Sequence, residues 1–324
     1  MMPIFLGLKM KVRYGINMLK TKSLTTFEEI LQDLESSHEL ILLGKNDDEA
    51  SNILYAFSSN SSRRKTHVLK ELDKDVLETK SYTNFLPLFT AQFEVLQLPE
   101  IIGIYSLPEK DYLLLPYYYG DRFNFNTPDE DLPRGMVDVI KDLAKLDVES
   151  IMPGGSVYDF AGHEKEFWNF FEKAVTFGLI ETSDVDQIRQ KAEAILLKGR
   201  TTQTMIISNG DFNPRNIIRL SSGKHVLIDW NGIVSPLEHH LTYPWLLNFV
   251  NPTWQKQYAS FFEKELPVNI FNTQYHLMKT SLERAVGEMG HYKPGINENP
   301  LIMVKDHMKN FYRGIEGFSS LSEV

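Results

Sequence analysis

The feature that most narrows the fold of this chain lies in its C-terminal half. It reads Ile206-Ile207-Ser208-Asn209-Gly210-Asp211-Phe212-Asn213-Pro214-Arg215-Asn216-Ile217-Ile218, and after a Ser-Ser-Gly turn Val226-Leu227-Ile228-Asp229-Trp230. Short apolar runs bounded by Gly, Pro, Asn and Ser read as strands. One strand delivers Asp211 to a polar loop, Asn216 follows five positions later, and the next strand ends on Asp229. Three oxygen-bearing side chains then converge on one end of a hairpin. Such convergence suits Mg2+-nucleotide chemistry, in which an acceptor hydroxyl needs a carboxylate beside it and a triphosphate needs metal ions held by hard oxygen ligands. Asp211 takes the first task in this pattern. Asn216, brought back by the turn that Pro214 favours, and Asp229 take the second, as metal ligands. An ordinary β-hairpin with polar turns is the other reading of the same residues.

The stretch NGDFNPRN followed by LIDWN resembles the catalytic and metal-binding loops of the aminoglycoside phosphotransferase and choline kinase family, relatives of the protein kinases. The family usually reads His-Gly-Asp-x-x-x-x-Asn, with the His bracing the loop; here Asn209 takes its place. A second departure lies upstream. The family's first large-lobe helix commonly ends Leu-Ala-x-Leu-His, whereas this chain has Leu143-Ala144-Lys145-Leu146-Asp147. The paired change points to a rebuilt polar network around the loop.

The resemblance implies an α+β, bilobal protein kinase-like fold with a small β-rich N-lobe (1–116, including an N-terminal extension) and a larger, mainly helical C-lobe (117–324). It also implies ATP and Mg2+ as cofactors. The small lobe should carry a Lys on a strand and a Glu on the next helix. Thr66-His67-Val68-Leu69-Lys70-Glu71-Leu72 alternates as a strand and offers Lys70 for the phosphates. Apolar positions Val76, Leu77, Phe85, Leu86 and Phe89 predict a helix over Asp75 to Phe89, with Glu78 near its start as a partner for Lys70. A Glu in a first helical turn is equally what the helix dipole favours. Leu98 to Tyr105 and Asp111 to Gly120 read as two strands, the second ending in a hinge at Leu115 and Tyr117 that would meet the adenine ring. Pro116 removes one backbone donor there.

Glu39 to Phe57 reads as a hairpin with a single glycine, Gly44, so a Gly-rich phosphate loop is absent and Asp47 to Glu49 forms a solvated turn. Thr25 or Thr26, with Glu28 or Glu29 behind it, marks the first helix start. Helical spacing recurs over Leu132 to Val148 and over Glu164 to Leu197, the latter broken near Thr182-Ser183-Asp184. It recurs again over Thr253 to Glu265, Thr273 to Met289 and Pro300 to Gly314. The aromatic stripe Phe167, Trp168, Phe170 and Phe171 reads as core packing ahead of a cation-π cradle. Glu238 or His239 falls near the family's usual Asp after the metal loop. The tandem His239-His240 makes a poor metal site, since adjacent helical residues face different ways.

A formal net charge of -9, with 42% hydrophobic and 24% charged residues over 324 positions, describes a globular chain and argues against nucleic-acid binding. The acidic balance is compatible with a cationic acceptor without establishing one. No cysteine is present, so disulfides, thiolate zinc sites and cysteine nucleophiles are excluded. No signal peptide or membrane span is evident, and a cytoplasmic protein is expected. The expectation is therefore an ATP-dependent phosphotransferase acting on a hydroxyl of a small molecule (aminoglycoside-, choline- or sugar-like), with Asp211 catalytic. Two alternatives remain: a nucleotide-binding pseudoenzyme with a regulatory role, and a protein scaffold.

Overall fold

The computed structural model describes residues 21–47, 53–59, 64–74, 86, 93–122, 131–148, 159–199, 204–248, 251–292 and 299–324. Helix α1 (Phe27–His38) starts at a complete capping box. The Thr26 hydroxyl accepts the Glu29 N–H at 3.3 Å, and the Glu29 carboxylate accepts the N–H groups of Thr25 and Thr26. The helix lays Ile30 and Leu34, both fully buried, on Leu40, Phe57, Leu69, Tyr105 and Leu114 of a sheet. Each of those two side chains contributes roughly 2 kcal/mol by leaving water.

That sheet is the core of the small lobe. Its strands are β1 (Lys22–Ser23), β2 (Leu40–Asp47), β3 (Ile53–Ser59), β4 (His67–Asp73), β6 (Gly103–Ser106) and β7 (Lys110–Pro116), in the order β1-β6-β7-β4-β3-β2. The predicted hairpin of β2 and β3 is present, with a register shift between Leu42 and Gly44. Lys70 sits on the central β4, opposite Leu54 on one side and Leu113 on the other, so its backbone is fixed by two neighbours. The predicted helix carrying Glu78 lies outside the described residues.

The strand expected over Leu98 to Tyr105 is shorter than the pattern suggested. Pairing with β7 begins at Gly103, while the preceding β5 (Leu96–Gln97) belongs to a second sheet, parallel to β11 (His225–Leu227). The chain crosses between sheets at Pro99, which has no N–H to give a ladder. The second sheet runs β5-β11-β10-β8, with β10 (Ile217–Leu220) and β8 (Gly120–Arg122); β9 (Met205–Ser208) and β12 (Ile233–Pro236) form a separate pair.

Among the described residues, helices form the rest of the large lobe. They are α2 (Asp131–Leu143), α3 (Phe160–Thr176), α4 (Val185–Gly199), α5 (Leu237–Leu247), α6 (Pro252–Glu265), α7 (Ile270–His291) and α8 (Asn299–Glu316). The periodic segments of the sequence correspond to them to within a few residues, α5 excepted, and α7 is buried all round from Asn272 to Leu282. On α2 the buried set is Met136, Val137, Val139, Ile140 and Leu143; on α3, Phe167 and Phe171 join Tyr275, Met278 and Leu282 of α7 in one apolar cluster. Among the described residues no helix is long and apolar enough to cross a membrane.

One carboxylate fastens α2 to the second sheet. Asp142, 1% exposed, accepts the N–H groups of Glu94, Val95 and Leu96 at 3.0, 2.8 and 2.8 Å and the Lys145 ammonium at 2.8 Å. Burial alone would raise its pKa, but Lys145 and the three amides outweigh that and hold it below the ordinary Asp value. Removing the carboxylate strands three amides at a buried position, so Asp142→Ala is expected to lower unfolding free energy by about 3 kcal/mol in urea melts. The sign of the pH effect follows from the depressed pKa. The contribution is complete above the unfolded-state value near 3.9 and is lost as pH falls through the lower folded-state value. Asp142→Ala should therefore flatten the acid limb of stability below about pH 4; an unchanged limb would refute this role.

Candidate active site

The two aspartates reach one another through nested hairpins. β9, which precedes Asp211, pairs with β12, which follows Asp229, with Ser208 opposite Ile233; inside them β10 pairs with β11, with Ile217 opposite Leu227. The loops at the shared end are stitched by the Ile228 N–H to the Asn216 carbonyl at 2.9 Å and the Asn231 N–H to the Asn209 carbonyl at 3.0 Å. The convergence expected of a single hairpin is thus produced by two.

Asn209 supplies the brace. Fully buried, it donates its side-chain amide to the carbonyls of Asp211 at 2.9 Å and of Ile228 at 3.1 Å, so one residue grips both loops. An Asn amide has two N–H donors for this. Gly210, at φ +80°, lies against Ile233, whose side chain a Cβ would strike at 2.6 Å. Asp147, the other departure from the family pattern, is exposed; the buried acid of that segment is Asp142.

The Asp211 carboxylate is held on both oxygens. Asn216 Nδ2 donates to Oδ2 at 3.0 Å and to the Asp211 carbonyl at 2.9 Å, while Tyr243 donates its hydroxyl to Oδ1 at 2.9 Å. Asn213, whose own Oδ1 accepts the Arg215 N–H in the turn Pro214–Asn216, adds two longer contacts at 3.3 and 3.4 Å. Because the nitrogen of the Asn216 amide is committed to Asp211, its oxygen is the atom left for a ligand.

Asp229 stands at φ +58°, a left-handed conformation that Asp tolerates better than most residues, and its side chain is 40% exposed. Its Oδ1 meets Lys70 Nζ at 2.7 Å, the ammonium being almost wholly buried. The expected pairing of Lys70 with Glu78 falls on residues outside those described; among the described residues Lys70 reaches Asp229. The two loop oxygens, Asn216 Oδ1 and Asp229 Oδ2, are hard ligands of the kind Mg2+ takes, too few to hold it without further oxygens from phosphates. The donor set therefore fits Mg2+ brought with a nucleotide.

A cavity of about 360 Å3 opens between the two sheets beside this pair. Leu54, Val68, Lys70, Leu115, Tyr117 and Asp229 line it, with Ile218 and Ile228 forming the opposite wall. The described sequence candidates Lys70, Leu115, Tyr117 and Asp229 thus share one cavity. Gly120 is required at its edge, since a Cβ there would collide with the Arg219 carbonyl. At the hinge the Tyr117 N–H is already used, donating to Thr66 at 2.8 Å. A trans peptide sends its carbonyl opposite its N–H, so the Pro116 carbonyl points away from β4.

On the other side of Asp211, α5 and α7 face each other with polar stripes. His239 and Tyr243 stack, with ring centroids 5.5 Å apart; His276 meets His239 at 5.8 Å; and Arg284 donates to the Tyr243 hydroxyl at 2.9 Å. These residues escaped sequence reasoning except His239, because the contacts join segments thirty or more residues apart. The i,i+4 spacing of His239 and Tyr243 was the available signal. Burial, followed by the nearby Asp211 charge, pushes Tyr243 up to about 12, so it stays a proton donor. Glu238 is buried and accepts the Asn269 N–H at 2.7 Å, tying α5 to the start of α7; burial raises its pKa.

Desolvation, then the Lys279 and His163 charges, lower His239 to about 4; desolvation and neighbouring cations likewise drive His276 down. His240, bonded through Nε2 to Ser235 at 2.9 Å, is depressed by burial and by His239. A histidine with a depressed folded-state pKa contributes fully above its unfolded value of about 6.5 and progressively less as pH falls toward the folded value. Melting temperature is therefore expected to drop steeply between pH 6.5 and 4, and His239→Gln should make that decline shallower. An equal slope in the variant would count against a neutral His239 in the folded protein.

No protein-family model matches the chain, and no curated protein matches it. Solved structures do. A GDP complex of aminoglycoside 2'-phosphotransferase-IIIa aligns with TM-score 0.61 and 14% identity over 87% of this chain and 98% of that one. The fold is that of the aminoglycoside phosphotransferases and choline kinases. A choline kinase from Streptococcus pneumoniae aligns at TM-score 0.54 and 11% identity over 89% of this chain and 98% of its own. An amicoumacin kinase in complex with AMP-PNP and Ca2+ aligns at 0.54 and 9% over 90% and 93%. Two of these neighbours were thus crystallised with a nucleotide. The expected bilobal kinase-like architecture is the one observed.

Proposed function

We propose that the protein is a phosphotransferase that moves the γ-phosphate of ATP to a hydroxyl of a small molecule. The observation that carries this reading is the nested-hairpin loop pair, in which Asp211, Asn216 and Asp229 converge beside a cavity that also holds Lys70. The adenine ring would enter against Leu115 and Tyr117, with its amino group on the Pro116 carbonyl that faces away from β4. Phosphates would draw Lys70 from Asp229 and so free the second carboxylate oxygen for the metal side. Bound Mg2+ supplies charge neutralisation for the phosphates, held by Asn216 and Asp229.

The acceptor hydroxyl would then sit on Asp211, taking the place on Oδ1 that the Tyr243 hydroxyl fills. As the oxygen attacks the γ-phosphorus, the bond to the β-phosphate oxygen breaks, ADP leaves, and the hydroxyl proton passes to Asp211. With so little covalent work for the protein, placement and charge stabilisation supply most of the acceleration. Asn209 supports activity in this reading, because it performs the bracing that its position requires.

The test is thermal stability with ATP, with and without Mg2+. A Mg2+-dependent rise in melting temperature at millimolar nucleotide supports the reading. No rise with ATP or GTP would move the weight to a scaffold that has kept only the fold.

A further inference from the structure

A cation without a direct ion pair among the described residues lies beside Asp211. Arg284, half-buried on α7, donates one guanidinium N–H to the Tyr243 hydroxyl at 2.9 Å and lies 5.3 Å from the centre of that ring. It enters no ion pair among the described residues, in contrast to Lys279 one turn earlier, which is neutralised by Glu166 at 2.9 Å and Glu283 at 3.4 Å. Other groups facing this space are the stacked rings of His239, Tyr243 and His276 on α5 and α7 and, from α8, His307, which feels the Arg284 charge. A half-buried guanidinium is costly to leave without an anion, and its planar fork matches a carboxylate or phosphate with two parallel hydrogen bonds.

We propose that Arg284 is a specificity-determining residue that selects acceptors bearing an anionic group, a carboxylate or phosphate, a few atoms from the hydroxyl that is phosphorylated. This rests on Asp211 being the site where that hydroxyl docks. The geometry sets the spacing, because Arg284 stands two hydrogen bonds from the Asp211 carboxylate, with the Tyr243 hydroxyl between them. A substrate hydroxyl replacing Tyr243 on Asp211 puts its neighbouring anion within reach of the guanidinium's remaining donors. The same charge that attracts a hydroxy acid repels an amino alcohol, so the site discriminates in both directions. The acidity of the whole chain is a surface average and does not describe this pocket.

Calorimetric titration of the full-length protein tests the proposal. The probes are glycerate and 3-hydroxybutyrate, each beside its neutral amide, with ethanolamine and choline as cationic controls. Titrations are made with and without AMP-PNP and Mg2+. At least one acid should bind at least tenfold more tightly than its amide, and Arg284→Gln should erase that difference while Arg284→Lys keeps part of it. Retention by the lysine variant separates recognition from a folding defect. The proposal is overturned if amides or amines bind as well as acids, if no acid binds, or if the preference survives Arg284→Gln. Failure of AMP-PNP to bind would instead count against the phosphotransferase reading, and the acid-versus-amide comparison without nucleotide still decides the role of Arg284.

Discussion

Replacing Asp229 by asparagine is expected to abolish the Mg2+-dependent part of nucleotide stabilisation while leaving the fold intact. The backbone at this position has φ +58°, and Asn enters the left-handed region about as readily as Asp. The substitution therefore keeps the loop and removes the charge that meets Lys70 at 2.7 Å and would face the metal. An amide oxygen is a weaker ligand for a hard divalent ion than a carboxylate, and Mg2+ bound here would depend on few protein oxygens. Nucleotide affinity in Mg2+ should fall at least ~100-fold, equivalent to about 2.8 kcal/mol at 1.4 kcal/mol per decade. Asp229→Ala should add a separate loss of stability of roughly 1 kcal/mol without any ligand, because alanine is strained at positive φ. Calorimetric titration of ATP with and without Mg2+ reads the first effect and urea melts read the second. A Mg2+-dependent affinity that survives Asp229→Asn would show that this carboxylate does not serve the metal.

The parts of the site that the sequence displayed are those built from neighbouring residues. Asp211, Asn213, Pro214 and Asn216 lie within one turn, so their spacing implied their convergence, and the nested pairing refined the picture without moving them. Lys70 was visible as a charge on an apolar strand, but its contact with Asp229 was not, since that contact spans 159 positions. Tyr243 and Arg284 were hidden for the same reason: α5 and α7 look like core helices, and only their packing turns a stripe of polar residues toward Asp211. The fold was more legible because amphipathic period follows directly from burial of one face. It was least legible at Leu98 to Ile102, where an apolar run with a strand-like composition crosses between sheets. Asp142 shows a subtler limit. Its segment drew attention through Asp147, yet burial, which no local pattern reveals, made Asp142 the structural acid.

Removal of the Asp211 carboxylate is expected to separate chemistry from binding in each of two variants. In Asp211→Ala, Asn216 keeps its bond to the main-chain carbonyl of residue 211 at 2.9 Å, so its side chain stays in place. Nucleotide affinity in Mg2+ should then change less than about threefold, while turnover with any acceptor falls by ~10^3 for want of a proton acceptor and a docking point for the hydroxyl. In Asp211→Asn both contacts can be kept, the amide oxygen accepting from Asn216 Nδ2 while the new Nδ2 donates to the Tyr243 hydroxyl, which turns to accept. Nucleotide affinity should therefore hold in this variant too, while turnover falls as in Asp211→Ala, because a neutral amide takes up no proton. Single-turnover rates alongside ATP titrations separate the two effects. A tenfold or larger loss of nucleotide affinity in either variant would mean that the Asp211 carboxylate serves nucleotide binding as well as chemistry.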